Sequence, residues 1–260
     1  MACEMGGTNT AVAFYAAAMN GHVIIDADPA GRAVPEITHS TYFLNDLPAA
    51  PIVMANAFGE CFIAENVIDD QRAEAVVRAL AIVSRNDIAA IDHALPAHQL
   101  RDAVIKGTMS TALELGRVWR RALEAGHDPA QAVANAHGGL VVFSGTVRDS
   151  SWQTTGGFTL GEIQLDGDAE FHAQTMRIRL KNENMVAWLN EKVLATIPEL
   201  ICLFDRNTGK PVTNPHYHSG QAITVVVLPA PEAFTTPRGL ATFGPAYAGV
   251  EGPCVPCIRD

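Results

Sequence analysis

Basic side chains are scarce in this chain. Only 18 Lys and Arg stand against 28 Asp and Glu, a formal net charge of -10 over 260 residues. Such a surface repels phosphate backbones and anionic lipid at long range, so nucleic acid and membranes are not expected partners. No uninterrupted apolar run approaches a membrane span, and Met1-Ala2-Cys3-Glu4 lacks the basic and apolar regions of a signal peptide. Cytoplasmic residence is the default expectation. Cysteine is sparse and odd in number, at five, which argues against a disulfide framework and for reduced thiols. There is no internal repeat and no low-complexity segment. With 48% hydrophobic and 18% charged residues, the composition is that of a globular protein able to bury a core without ligand help.

The periodicity changes once along the chain. After Gly6-Gly7, the Ala-rich stretch Thr10 to Met19 reads as a helix stopped by Asn20-Gly21, and His22 to Ile25 reads as a buried strand. Ile52 to Ala55 is a second strand, while Asp69 to Ser84 and Thr108 to Ala125 have helical apolar spacing. From Gly138 onward short alternating runs take over, ending in Ala222 to Leu228, with Asn207-Thr208-Gly209-Lys210-Pro211 as the clearest turn. The expected fold class is α/β plus all-β in two domains. Residues 1–137 form an incomplete Rossmann-like α/β domain, residues 138–232 an all-β domain, and the tail 233–260 packs back on the first.

Loops at the carboxyl ends of parallel strands are where α/β proteins place ligands, so the segment after Ile25 is the first place to look for chemistry. Glu4, Asp26, Asp28 and Glu36 put four carboxylates between positions 4 and 36. Clustered carboxylates can deprotonate water directly or hold a metal ion. Arg32, a rigid fork of donors, suits a substrate carboxylate or one of those acids. The competing reading is structural, with Asp26 and Asp28 capping a turn and Arg32 in an ion pair. His39 lies close to this loop in sequence, although a hydrogen-bonding or surface role is its more ordinary use. His216-Tyr217-His218 has the spacing of two zinc ligands on one strand face, yet reads more simply as an exposed turn. Cys254-Val255-Pro256-Cys257 has the redox dithiol spacing but reads as incidental thiols, and Cys3, a nucleophile candidate if a His came close, reads more simply as a buried or terminal structural thiol.

Several blocks resemble one family. Glu4-Met5-Gly6-Gly7-Thr8-Asn9, Asp26-Ala27-Asp28 with Gly31-Arg32-Ala33 and Pro35-Glu36, Gly107-Thr108-Met109-Ser110, Gly156-Gly157-Phe158, Asn182 to Ala187, Ala195 to Ile201 and Thr236 to Pro245 are similar, in order, to the S-methyl thiohydantoin desulfurase family, found beside hydantoinase and oxoprolinase genes. The resemblance implies an α/β domain followed by an all-β domain. It further implies attack of water on a small five-membered cyclic amide-like ring with loss of thiol. On that basis Glu4, Asp26 and Asp28 are the expected catalytic groups, and Asn9, Arg32, Glu36 and Thr41 the expected substrate-binding groups. A divalent metal such as zinc is left open, with no ligand set assigned. The expected partner is a small cyclic amide; a homo-oligomer, or a hydantoinase-type complex in which this chain is a non-catalytic subunit, is the alternative. Family members usually carry a further Gly-rich N-terminal segment, so the resemblance implies a shortened chain with uncovered apolar surface. Gly6-Gly7-Thr8-Asn9-Thr10 is also similar to the phosphate turn of actin-like nucleotide-binding proteins, but Val12 to Met19 is too Ala-rich for the strand which follows that turn.

Overall fold

Ala-rich sequence propagates a helix without needing a partner, and the segment after the opening glycines does so as α1, Gly7–Met19, none of whose residues is buried. In the computed structural model, which describes residues 1–258, the chain divides into two compact units. The first comprises 1–108 with 154–158, and the second 109–153 with 159 onward.

In the first unit, β1 (Ala27–Asp28) leads to α2 (Thr41–Leu44), whose first turn is capped by Ser40 Oγ accepting from the Phe43 amide at 3.3 Å. The strands β2 (Ile52–Ala55) and β3 (Cys61–Ala64) follow, joined by a turn in which Asn56 Oδ1 accepts the amides of Phe58 and Glu60. Next come α3 (Asp70–Val83), β4 (Ala89–Ile91), α4 (Ala97–Leu100) and β5 (Ile105–Lys106). Asp69 caps α3 by accepting the Arg72 amide at 2.7 Å. The sheet order is β3-β2-β4, with β1 and β5 as a separate pair, and each of these pairings is antiparallel. The core of this sheet is small: Ile52 and Met54 pack on Ala73, Val77 and Leu80 of α3. Its outer face sets Val53, Ile63 and Ile91 side by side in register, all exposed.

This corrects the expected Rossmann-like arrangement. The five-residue β2 to β3 connection is far too short for a crossover, so these neighbours must run antiparallel. The apolar run His22 to Ile25 is not a strand either; with no strand beside it, Val23 is 90% exposed. Arg78 of α3 does the bracing that a larger sheet would otherwise do. Its guanidinium pairs with Glu74, donates to the carbonyls of Pro35 (2.8 Å) and Gly157 (3.1 Å), and lies 4.0 Å over the Phe158 ring. A Cβ on Gly157, whose φ is +77°, would come within 2.4 Å of that arginine.

The second unit opens with α5 (Thr108–Glu124) and α6 (Pro129–Ala136), the latter capped by Asp128 and started by proline at its first position. Seven strands follow: β6 (Leu140–Thr155), β7 (Phe158–Gly167), β8 (Thr175–Lys181), β9 (Glu183–Leu189), β10 (Lys192–Thr196), β11 (Leu200–Asp205) and β12 (Ala222–Leu228). They form one sheet in the order β10-β9-β8-β7-β6-β12-β11. Alternation buries Met176 and Ile178 on one side of β8 with Phe143, Ile163, Leu165 and Val225. Ala130, Val133 and Ala134 of α6 cover Phe204, Val226 and Leu228. Trp119 of α5 donates to the Gly209 carbonyl at 2.7 Å, across a turn whose Gly209 has φ of +66° and no room for a side chain beside Leu123. α5 and α6 therefore group with the β-sheet, and the boundary between the units falls near 108 rather than at the expected 137. The tail, with α7 (Pro237–Phe243), also joins this unit instead of packing back on the first. Glu199 accepts the amides of Cys257 and Ile258, at 3.1 and 3.0 Å.

Phe143 is fully buried at the centre of this sheet, 5.2 Å from the Phe171 ring. Replacing it by alanine should cost about 3–5 kcal/mol in urea unfolding; a loss below about 1 kcal/mol would contradict the placement of the core.

Candidate active site

The acidic loop closes on the start of the chain through one side chain. Glu4 Oε1 accepts from Asn9 Nδ2 at 2.6 Å, and Oε2 accepts from the Val34 amide at 2.6 Å, so a single carboxylate fixes α1 to the loop after β1. The Gly6 amide donates to Thr10 Oγ1 at 3.0 Å, which closes the turn ahead of the helix. Position 6 has little room for a side chain: a Cβ would sit 3.0 Å from that of Ala33 and 3.5 Å from Glu4 Oε1.

Asp28 has no solvent exposure. Its Oδ1 accepts the amides of Ala30 and Gly31, both at 2.7 Å, while Oδ2 has no partner in hydrogen-bonding geometry. Thr108 Oγ1 is buried and likewise lacks a bond of full geometry, though its hydroxyl is the strongest influence lowering the Asp28 pKa. Burial outweighs it and pushes the Asp28 pKa up. Glu4 is also pushed up by burial, against the Val34 and Asn9 hydrogen bonds that favour its anion; Asp28 adds to the rise and Arg32 opposes it. Arg32 is 3% exposed, and its Nε donates to the Ala33 carbonyl at 3.1 Å.

Cys3 is solvent-exposed, yet its thiol is pushed up to about 12, first by desolvation and then by the charges of Glu4, Asp92 and Asp28. A thiol so shifted is protonated at neutral pH, which removes it as a nucleophile. The Tyr42 hydroxyl is raised too, by burial and then by Asp92, Asp28 and Cys3. These shared influences join Cys3, Glu4, Asp28, Tyr42 and Asp92 into one acidic neighbourhood.

Beside it, His93 is buried with its ring 4.4 Å from that of Tyr42. Its Nδ1 lies 3.2 Å from Asp92 Oδ1 and its Nε2 3.8 Å from Asp70 Oδ2. The Ala49 backbone ties this corner together: its amide donates to Asp70 Oδ1 and its carbonyl accepts the His93 amide, each at 2.9 Å. His93 has φ of +46°, left-handed backbone that a side chain adopts only when its surroundings hold it there.

The remaining expected residues are placed less favourably for binding. Asp26 is exposed, and its carbonyl accepts the Gly107 amide at 2.8 Å. Glu36 is half-buried and its carbonyl accepts the His39 amide; His39 itself is buried. The Thr41 hydroxyl donates to the Ala103 carbonyl at 2.6 Å, a structural tie. His216 and His218 are exposed in a turn. The Cys254 and Cys257 thiols are raised by burial and by Glu199. Among the described residues no three His, Cys, Asp or Glu side chains converge as metal ligands, so no step below runs through the zinc left open from sequence. Tyr42, Asp70, Asp92 and His93 join the site without any spacing in the sequence that marks them.

Models of the S-Me-THD-like N-terminal and C-terminal domains match residues 1–66 and 68–257. The chain belongs to the S-Me-THD-like family. The acidic neighbourhood draws Cys3, Glu4, Asp28 and Tyr42 from the N-terminal domain and Asp92 from the C-terminal one. An X-ray structure of a protein from Chromobacterium violaceum is similar at 25% identity and a TM-score of 0.80, over 98% of this S-Me-THD-like chain and 72% of the other. No curated protein matches significantly. Among the described residues no helix is long and apolar enough to cross a membrane.

Because Glu4 and Asp28 titrate higher when folded than when unfolded, the native state holds more protons between the ordinary carboxyl range and the raised values. Stability of the first unit should therefore rise as pH falls through that window and level off below it. Asp28→Asn keeps the acceptor for the two amides and removes the buried charge. It should stabilise the protein at pH 8 and flatten this dependence in thermal melts; destabilisation at pH 8 with the pH dependence intact would contradict the assignment.

Proposed function

We propose that the chain is a hydrolase acting on a hydantoin-like or S-alkyl thiohydantoin-like ring. The observation that carries this reading is Glu4: a half-exposed carboxylate, oriented by two hydrogen bonds, desolvated, and within the electrostatic influence of the buried Asp28. A carboxyl raised toward neutrality can take a proton and return it at the same pH. The family assignment supports the substrate class.

In the reaction we propose, water attacks the ring carbon that bears the S-alkyl group. Glu4 takes a proton from that water as the C–O bond forms. The C–S bond then breaks with its electron pair on sulfur, and the proton passes from Glu4 to the departing thiolate. The second water proton leaves to solvent as the carbon becomes a carbonyl and a ring nitrogen accepts one in exchange, so water and S-alkyl ring give hydantoin and thiol. Asn9 and the Val34 amide hold Glu4 in one orientation. Asp28 keeps its proton affinity high, and Arg32 limits the accumulation of negative charge. In this reading Glu4 is the base and Asp28 acts on it from behind, because Asp28 is fully buried and Glu4 reaches solvent.

Incubating the full chain with an S-methyl thiohydantoin and following thiol release tests this. Glu4→Gln should lower kcat by about a hundredfold to ten-thousandfold with little change in KM. The wild-type kcat/KM should rise with pH through a midpoint above that of an ordinary glutamate. Absence of thiol release by folded protein, or unchanged kcat in Glu4→Gln, would refute the reading.

A further inference from the structure

The second unit contains a cavity of about 250 Å³. Leu160, Leu180, Met185 and the Tyr247 ring give it apolar walls, and Arg179 and Lys181 are its charged lining residues. Volume sets the scale of an occupant: an apolar cavity of about 150 Å³ suffices for benzene. This one has space for a ring and a small polar group.

The charges of β8 differ in a way that singles out one of them. Alternation puts Arg177, Arg179 and Lys181 on the side of the strand opposite Met176 and Ile178. Arg177 is neutralised by Glu162 at 3.0 Å and Glu191 at 3.3 Å. Arg179 is half-buried and donates to the Ala248 carbonyl, but it has no carboxylate partner among the described residues. Lys181 donates to the Tyr247 hydroxyl at 2.5 Å, the ammonium 4.8 Å from the ring centroid. A guanidinium removed from water ordinarily has a counter-ion, and its planar fork matches a carboxylate in two parallel hydrogen bonds. The charged side chains lining this cavity, Arg179 and Lys181, are both cationic in a chain of net charge -10, a lining that attracts anions.

We infer that this cavity binds a small organic carboxylate, its anionic end on Arg179 with Lys181 alongside and its apolar body between Leu160, Leu180, Met185 and Tyr247. Phosphate fits worse, since the apolar walls would leave part of its charge and several of its oxygens without donors. None of its lining residues belongs to the Glu4 cluster, and the proposal does not depend on the hydrolase reading.

Benzoate is the probe, with benzamide as its uncharged counterpart and inorganic phosphate as the competing anion. Titrated into the ¹⁵N-labelled full chain, benzoate should saturate shifts at the Leu160, Lys181 and Ala248 amides. Benzamide should bind at least about tenfold more weakly, and phosphate should leave these amides unmoved. Arg179→Gln should weaken benzoate by at least about tenfold, whereas Tyr247→Phe, which keeps the ring wall and removes the hydroxyl to which Lys181 donates, should retain or tighten it. Should Arg179→Gln not fold, Lys181→Gln and the benzoate-to-benzamide ratio in wild type decide the matter. Lack of benzoate binding, equal binding of benzamide, preference for phosphate, or benzoate affinity unchanged in a folded cation variant would each overturn the proposal.

Discussion

Carboxylates held away from water need hydrogen-bond donors, and in the first unit most of those donors are backbone amides of loops. Asp28 takes Ala30 and Gly31, Glu4 takes Val34, and Asp70 takes Ala49. Each bond satisfies a buried acid and at the same time pins a segment that the small sheet cannot order. Desolvation still exceeds this compensation at Glu4 and Asp28, whose proton affinities remain high. At Glu4 and Asp28 the same group thus orders a loop and keeps a raised proton affinity.

The second unit is organised by period-two alternation over a continuous core. Its long antiparallel strands need no acids to hold them, and its charges are free for the outer side of the sheet. That division explains why β8 buries Met176, Ile178 and Leu180 while Arg177, Arg179 and Lys181 remain outside the core. Glu199 is the exception, a buried acid satisfied by tail amides in the manner of the first unit.

Elements whose own sequence determines them were legible. The helix at Asp70–Val83 follows its apolar spacing and Asp69 cap, α1 follows its alanines, and the runs from Leu140 to Leu228 show strand alternation. What failed depended on partners distant in sequence. His22 to Ile25 has strand composition but no neighbour to pair with, and a short strand such as Ala89–Ile91 exists because β2 lies beside it. In the candidate site, Glu4, Asn9, Asp28 and Arg32 could be singled out from sequence because they crowd a short stretch of chain. Asp92 and His93 were not, since only the Ala49 backbone bonds and the turn at His93 bring them to Tyr42 and Asp70. Asp26 and Thr41 share the favourable sequence position, but one is exposed and the other's hydroxyl is engaged by Ala103.

The central claim is that Glu4 is a desolvated carboxyl whose proton affinity is raised in part by Asp28. Site-resolved ¹³C carboxyl titration of the full chain measures this directly. The Glu4 resonance should titrate with a midpoint above the ordinary 4.5, and Asp28→Asn should lower that midpoint. A Glu4 midpoint at or below the ordinary value, unmoved by Asp28→Asn, would contradict the account.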